Sequence, residues 1–151
     1  MFCPSAGGAI LHPTDPNEGS GTLKVRELAS AAAVTVGPGH SLRDAARMMA
    51  EHKVGSAVVQ DAEELAGILT ERDVLHAVAA GVDADADDVA AHMTHEVVTA
   101  GPDWDVVEAA TIMAERRIRH LVVYEGGQLL GVLSVRDVLP ALLPQPYRGA
   151  D

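Results

Sequence analysis

The sequence predicts a mixed α/β (α+β) fold assembled from two copies of one strand–helix–strand–strand–helix unit. Three observations predict it. Shifting the chain by 64 residues aligns 34–75 with 98–139 without a gap, and 18 of those 42 positions are identical. A repeat of fixed period marks two copies of a supersecondary unit, each too small to bury a good core alone. Each copy also carries apolar residues at helical spacing, flanked by short apolar runs of strand length. Hydrophobic residues make up 48% of the 151, too many for a disordered acidic chain.

The elements follow in the same order in both copies. A short strand (Val34–Val36; Val97–Thr99) enters a Gly-Pro turn. A helix follows, with Leu42, Ala45, Ala46, Met49 and Ala50 at i, i+3, i+4, i+7 and i+8, and Val106, Ala109, Ala110, Met113 and Ala114 repeating them. Ser41 and Asp103 are the N-caps this reading selects. Two strands come next, Ala57–Gln60 with Leu65–Leu69 and Leu121–Tyr124 with Leu129–Leu133, joined by turn-like Asp61–Glu64 and by the hairpin signal Glu125-Gly126-Gly127. A last helix starts at Thr70 or Ser134, the first copy ending at Gly81 as a C-cap.

Composition narrows the function. With 22 acidic against 11 basic side chains and a net charge of −11, the chain lacks the basic face that displaces counterions from nucleic acid. Four aromatics, Phe2, Trp104, Tyr124 and Tyr147, provide no stacking platform for single strands. The charge also disfavours anionic membranes, and no apolar run approaches the roughly 20 residues of a span. One cysteine, Cys3, excludes an intrachain disulfide and a Cys-rich zinc site. The N-terminus does not read as a signal peptide, so the expected location is the cytoplasm.

The most specific local feature is Gly67-Ile68-Leu69-Thr70-Glu71-Arg72-Asp73-Val74-Leu75, echoed by Gly131-Val132-Leu133-Ser134-Val135-Arg136-Asp137-Val138-Leu139. A strand ends, a hydroxyl residue follows and a helix begins, which leaves backbone amides and the helix dipole for an anion. Thr70 or Ser134 suits a phosphate oxygen, and Arg72 or Arg136 adds a charge-assisted donor. Asp73 or Asp137 offers two acceptor oxygens suited to a ribose diol. The competing reading is a capping box, a helix start stabilised by ~1 kcal/mol, which explains the hydroxyl and the acid but not the paired arginines.

Two such blocks on two such units resemble a CBS domain pair, the cystathionine-β-synthase type. The Met in each first helix and the segment Ala91-His92-Met93-Thr94 fit as well. The resemblance covers about 23–143 and is nearest to the stand-alone bacterial pairs. It implies repeats packed by their sheets with pseudo-two-fold symmetry, leaving two clefts for AMP, ADP, ATP or S-adenosylmethionine. One cleft would use Asp73 for ribose and Thr70 with Arg72 for phosphate, Val98 and Ile118 flanking the base, and Arg119 and His120 reaching phosphate. The other would use Ser134, Arg136 and Asp137 with Val34, Val54, Gly55 and Ser56. Because Arg119 and His120 stand where the first copy has Gly55 and Ser56, the Asp73 cleft should prefer more phosphate charge. The first copy's lead-in, Val25 to Ser30, lacks the Met-Thr of the second, and Pro140 should kink or shorten the last helix.

The chain therefore divides into an N-terminal arm (1–22), a first repeat (23–81), an acidic linker (82–88), a second repeat (89–143) and a C-terminal tail (144–151). The linker fails as a calcium loop, having Asp88 and Thr94 where Gly and Glu are needed. It reads instead as a solvated segment whose Asp87 and Asp88 complement a short helix at Val89–His92. His92, His95 and Glu96 are too few for a metal site, and neither GxxxxGK nor GxGxxG occurs. The expectation is a regulatory module: not an enzyme, requiring no cofactor, sensing a small adenosyl ligand, forming a homodimer and signalling to a regulated protein. The alternative is a dimerisation or interaction scaffold that binds no nucleotide.

Overall fold

The computed structural model describes residues 10–11 and 23–143. The rest of the expected arm and the expected tail lie outside them, although Ile10–Leu11 of the arm form a short strand, β1. The helices and strands are α1 (Val25–Leu28), β2 (Thr35–Val36), α2 (Leu42–Glu51), β3 (Ser56–Asp61), β4 (Glu64–Thr70) and α3 (Glu71–Ala79), then α4 (Val89–His92), β5 (Val97–Ala100), α5 (Val106–Arg116), β6 (His120–Glu125), β7 (Gln128–Ser134) and α6 (Val135–Leu142). The chain folds as two compact units, residues 32–97 and residues 23–31 with 98–143.

In the first unit β2 runs parallel to β3, pairing Thr35 with Val58 and Val36 with Val59, and α2 makes the crossover a parallel pair requires. β3 turns back antiparallel onto β4, with a bulge between Val59 and Gln60. The helical stripe Leu42, Ala45 and Met49 packs with Val36, Ala57, Val59, Leu69 and Ala77 in one core. The second unit repeats the pattern. β5 runs parallel to β6 through Thr99–Val122 and Ala100–Val123, β6 pairs antiparallel with β7, and the bulge recurs between Val123 and Tyr124.

Each unit is closed by a lead-in segment that comes from elsewhere in the repeat order. Leu23 to Ser30 precedes the first copy yet bonds the second: Val25 N–H donates to the Trp104 carbonyl at 2.9 Å, Arg26 N–H to that of Pro102 at 2.8 Å, and Val106 N–H to that of Leu23 at 3.0 Å. The segment before the second copy bonds the first in the same register, Val89 N–H to the His40 carbonyl at 2.9 Å, Ala90 N–H to that of Pro38 at 3.0 Å and Leu42 N–H to that of Asp87 at 2.9 Å. Val25 and Val89 are both 0% exposed.

The glycine opening each repeated block exists for this crossing. Thr94 exchanges backbone bonds with Ile68 at 2.8 and 3.0 Å, and Ser30 does so with Val132 at 2.9 and 3.1 Å. A Cβ on Gly67 would lie 2.8 Å from both the Met93 Sδ and the Thr94 carbonyl oxygen, and one on Gly131 would collide with the Ser30 carbonyl.

Several local expectations are refined. Ser41 caps α2, accepting from Asp44 N–H at 3.1 Å. The cap of α5 is Asp105, not Asp103; its carboxylate accepts from Val107 N–H at 2.7 Å, while Asp103 pairs with Arg26 at 2.7 Å. α6 runs two residues past Pro140 and has eight residues against nine in α3. The acidic linker is docked on α2. Its Ala84 carbonyl accepts from Arg43 N–H at 3.0 Å and its Asp85 carboxylate from the Arg43 guanidinium at 2.5 Å, which raises that guanidinium above its ordinary value. Asp88 precedes α4 without a side-chain cap bond, and Asp87 instead meets His92 Nε2 at 2.8 Å.

Candidate functional site

The repeated block forms the same corner in both units: a strand ends on a hydroxyl residue in extended geometry and a helix of eight or nine residues begins. In the first unit Thr70 N–H donates to Asp73 Oδ2 at 2.9 Å, the Thr70 hydroxyl approaches the same oxygen at 3.0 Å, and Asp73 N–H returns to Thr70 Oγ1 at 3.3 Å. In the second, Ser134 N–H and its hydroxyl reach Asp137 Oδ2 at 3.0 and 2.9 Å. The capping-box reading is therefore realised in the first corner, and its backward half in the second. A carboxylate has about four lone-pair positions, so capping does not exhaust Asp73 or Asp137.

β-pairing gathers more residues at each corner. Ser56 is opposite Thr70, and Glu71 N–H donates to the Gly55 carbonyl at 3.0 Å, so Gly55, Ser56, Thr70 and Asp73 share one end of the first sheet. His120 is opposite Ser134, and Val135 N–H donates to the Arg119 carbonyl at 2.9 Å, which gathers Arg119, His120, Ser134 and Asp137. Val34 is buried and accepts from Val58 N–H at 2.8 Å; Val54 is half-buried, with its N–H on the Met49 carbonyl at 3.0 Å. Val98 is buried, and Ile118 is half-buried with its N–H on the Met113 carbonyl at 3.0 Å. Of the residues assigned to the Asp73 ligand, Thr70, Arg72 and Asp73 thus belong to the first unit, and Val98, Ile118, Arg119 and His120 to the second.

The arginines divide by pairing. Arg26, Arg43 and Arg47 pair with Asp103, Asp85 and Asp44. Arg72, Arg119 and Arg136 are exposed and, among the described residues, pair with no carboxylate. Sequence reasoning missed one residue at the first corner. The Thr94 hydroxyl lies 3.3 Å from both oxygens of Asp73. The backbone match of Thr94–Ile68 to Ser30–Val132 is the signal that finds it, and it extends the repeat into both lead-ins. Among the described residues no three His, Cys, Asp or Glu side chains gather as a metal site, and no helix is long and apolar enough to cross a membrane.

The family model for the CBS domain matches residues 25–80 and 86–144, one match for each copy. The chain belongs to the CBS domain family. It is similar to an uncharacterized 17.7 kDa protein of Acidianus ambivalens, 38% identical over 122 residues that cover 80% of this chain and 73% of that one. A CBS-domain containing protein from Agrobacterium tumefaciens matches in structure with a TM-score of 0.76 at 35% identity, covering 85% of this chain and all (100%) of the other. The CBS domain pair of protein MJ0100, in complex with 5′-methylthioadenosine and S-adenosyl-L-methionine, matches with a TM-score of 0.73 at 23% identity, over 79% of this chain and 94% of that one. At that identity the likeness is one of fold. The mixed α+β architecture is that of a CBS pair.

Proposed function

We propose that this CBS pair is a regulatory module that senses an adenine nucleotide or derivative, AMP, ADP, ATP or S-adenosylmethionine, and signals to a partner protein by a change of conformation. The observation that carries the reading is the first corner. There a half-buried carboxylate, Asp73, keeps acceptor capacity beyond its capping bonds, beside a helix N-terminus and the exposed Arg72, which pairs with no carboxylate among the described residues. Acceptor for a diol, amides and guanidinium for a phosphate are the complement of a nucleotide's sugar and charge. Ser134, Arg136 and Asp137 repeat the set. In MJ0100 the same fold holds adenosyl ligands. The ligand's effect on conformation is limited by its differential affinity for the two states.

Thermal denaturation with each ligand tests this. At 100 times its Kd a ligand adds about 2.7 kcal/mol to stability, which for a chain of this size raises Tm by roughly 5–11 °C. Asp73→Asn should remove most of that rise for the ribonucleotide it serves. No shift with any of the four at millimolar concentration would overturn the reading.

A scaffold role is favoured by a different observation, the exposed apolar residues on the last helix of each repeat. Leu75 and Val78 of α3 are 64% and 66% exposed, and Leu139 of α6 is 53% exposed. We propose that these helices carry a homodimer. Light scattering should give twice the 15.7 kDa mass of the chain, and Leu75→Lys should shift it toward the monomer. A monomer at high concentration would count against it.

A further inference from the structure

Thr94 holds its place over the first unit's sheet by two backbone bonds to Ile68, made possible by the missing side chain at Gly67. From there its hydroxyl reaches both Asp73 oxygens at 3.3 Å. An ionised carboxylate only accepts hydrogen bonds, so the Thr94 proton is committed to Asp73 and the hydroxyl oxygen is left as an acceptor. Oδ2 already takes the amide and hydroxyl of Thr70, whereas Oδ1 takes Thr94 alone among the described residues. Thr94 Oγ1 and Asp73 Oδ1 are therefore two acceptors 3.3 Å apart, the first on an exposed residue and the second on a half-buried one.

The second unit lacks this pair. Ser30 takes the place of Thr94 against Val132, but among the described residues the Asp137 carboxylate bonds only Ser134.

We infer that Thr94 is a specificity-determining residue of the Asp73 site, accepting one hydroxyl of a ligand's cis-diol while Asp73 Oδ1 accepts the other. This rests on the nucleotide-binding reading above and adds what that reading does not contain, a reason for the two corners to differ in their demand for an intact ribose. It also couples the ligand to the lead-in that crosses from one repeat to the next, because the residue that touches the diol is bonded into that segment.

The test is calorimetric titration of the full chain with AMP and with its 2′,3′-dideoxy analogue, using wild type, Thr94→Val and Thr94→Ser. Wild type should prefer AMP. Thr94→Val should weaken AMP about tenfold, the loss of one hydrogen bond of ordinary strength, and leave the dideoxy analogue within twofold. Thr94→Ser, which keeps the hydroxyl, should bind AMP nearly as wild type does. Equal weakening of both ligands in Thr94→Val would mean a merely structural role and overturn the inference, as would unchanged AMP binding. Wild type that binds neither ligand would instead remove the nucleotide reading itself, and the inference with it.

Discussion

Replacing Gly131 by alanine is expected to cost the protein about 3 kcal/mol, the upper part of the range for overpacking. The added Cβ would collide with a backbone carbonyl, that of Ser30, not with the end of a flexible side chain. The only relief is to lift the lead-in off β7, which breaks the paired Ser30–Val132 bonds of 2.9 and 3.1 Å. Urea denaturation should show the loss, with a Tm lower by roughly 6–12 °C. Gly39→Ala is the matched control, since a Cβ there meets nothing within 4 Å, and it should change stability by no more than about 0.5 kcal/mol. Equal stability of the two variants would mean that the crossing is looser than these distances require.

The other large effect is expected at Val25. It precedes the first copy in the chain but is fully buried in the second unit, on α1, with its amide on the Trp104 carbonyl. Val25→Asp places an unpaired carboxylate there, at a cost of about 3–5 kcal/mol. Amide exchange should then lose protection in 98–143 before 34–81. Val89→Asp, at the equivalent position against the first unit, should reverse the order. Loss in the nearer stretch of sequence would show that each lead-in serves its own copy. The single tryptophan, Trp104, is buried in the second unit and offers a fluorescence readout of the same difference.

What could be read in the sequence was what side chains encode. Of the helical stripe, Leu42, Ala45 and Met49 and their echoes Val106, Ala109 and Met113 are buried as their spacing implied, whereas Ala50 and Ala114 at i+8 are exposed. The Thr70–Asp73 and Ser134–Asp137 corners are formed as the strand-to-helix reading required. What was missed is carried by the backbone. The two lead-ins share little beyond Val25/Val89 and Ser30/Thr94, because most of their contacts are N–H and C=O bonds that almost any side chain permits. Hence the destination of the lead-ins and the contact of Thr94 with Asp73 left no strong pattern. The cap of α5 is legible in the repeat, since the 64-residue shift sets Asp105, not Asp103, opposite Ser41. The hairpin strands extend a residue or so beyond their apolar runs, since a ladder continues through polar Ser56 and His120, whereas β2 begins one residue after Val34.

The crossed lead-ins bear on how such a chain could have arisen. A lone ancestral copy of the sequence repeat would carry a lead-in that its own body did not use, and a body whose closing piece was missing. Two separate chains could each lend the other its lead-in, the logic of domain swapping. Tandem duplication would turn that loan into an event within one molecule, replacing a dependence on protein concentration by the fixed effective concentration of a tether. Split between residues 81 and 82, the halves would then have to find each other before either was complete.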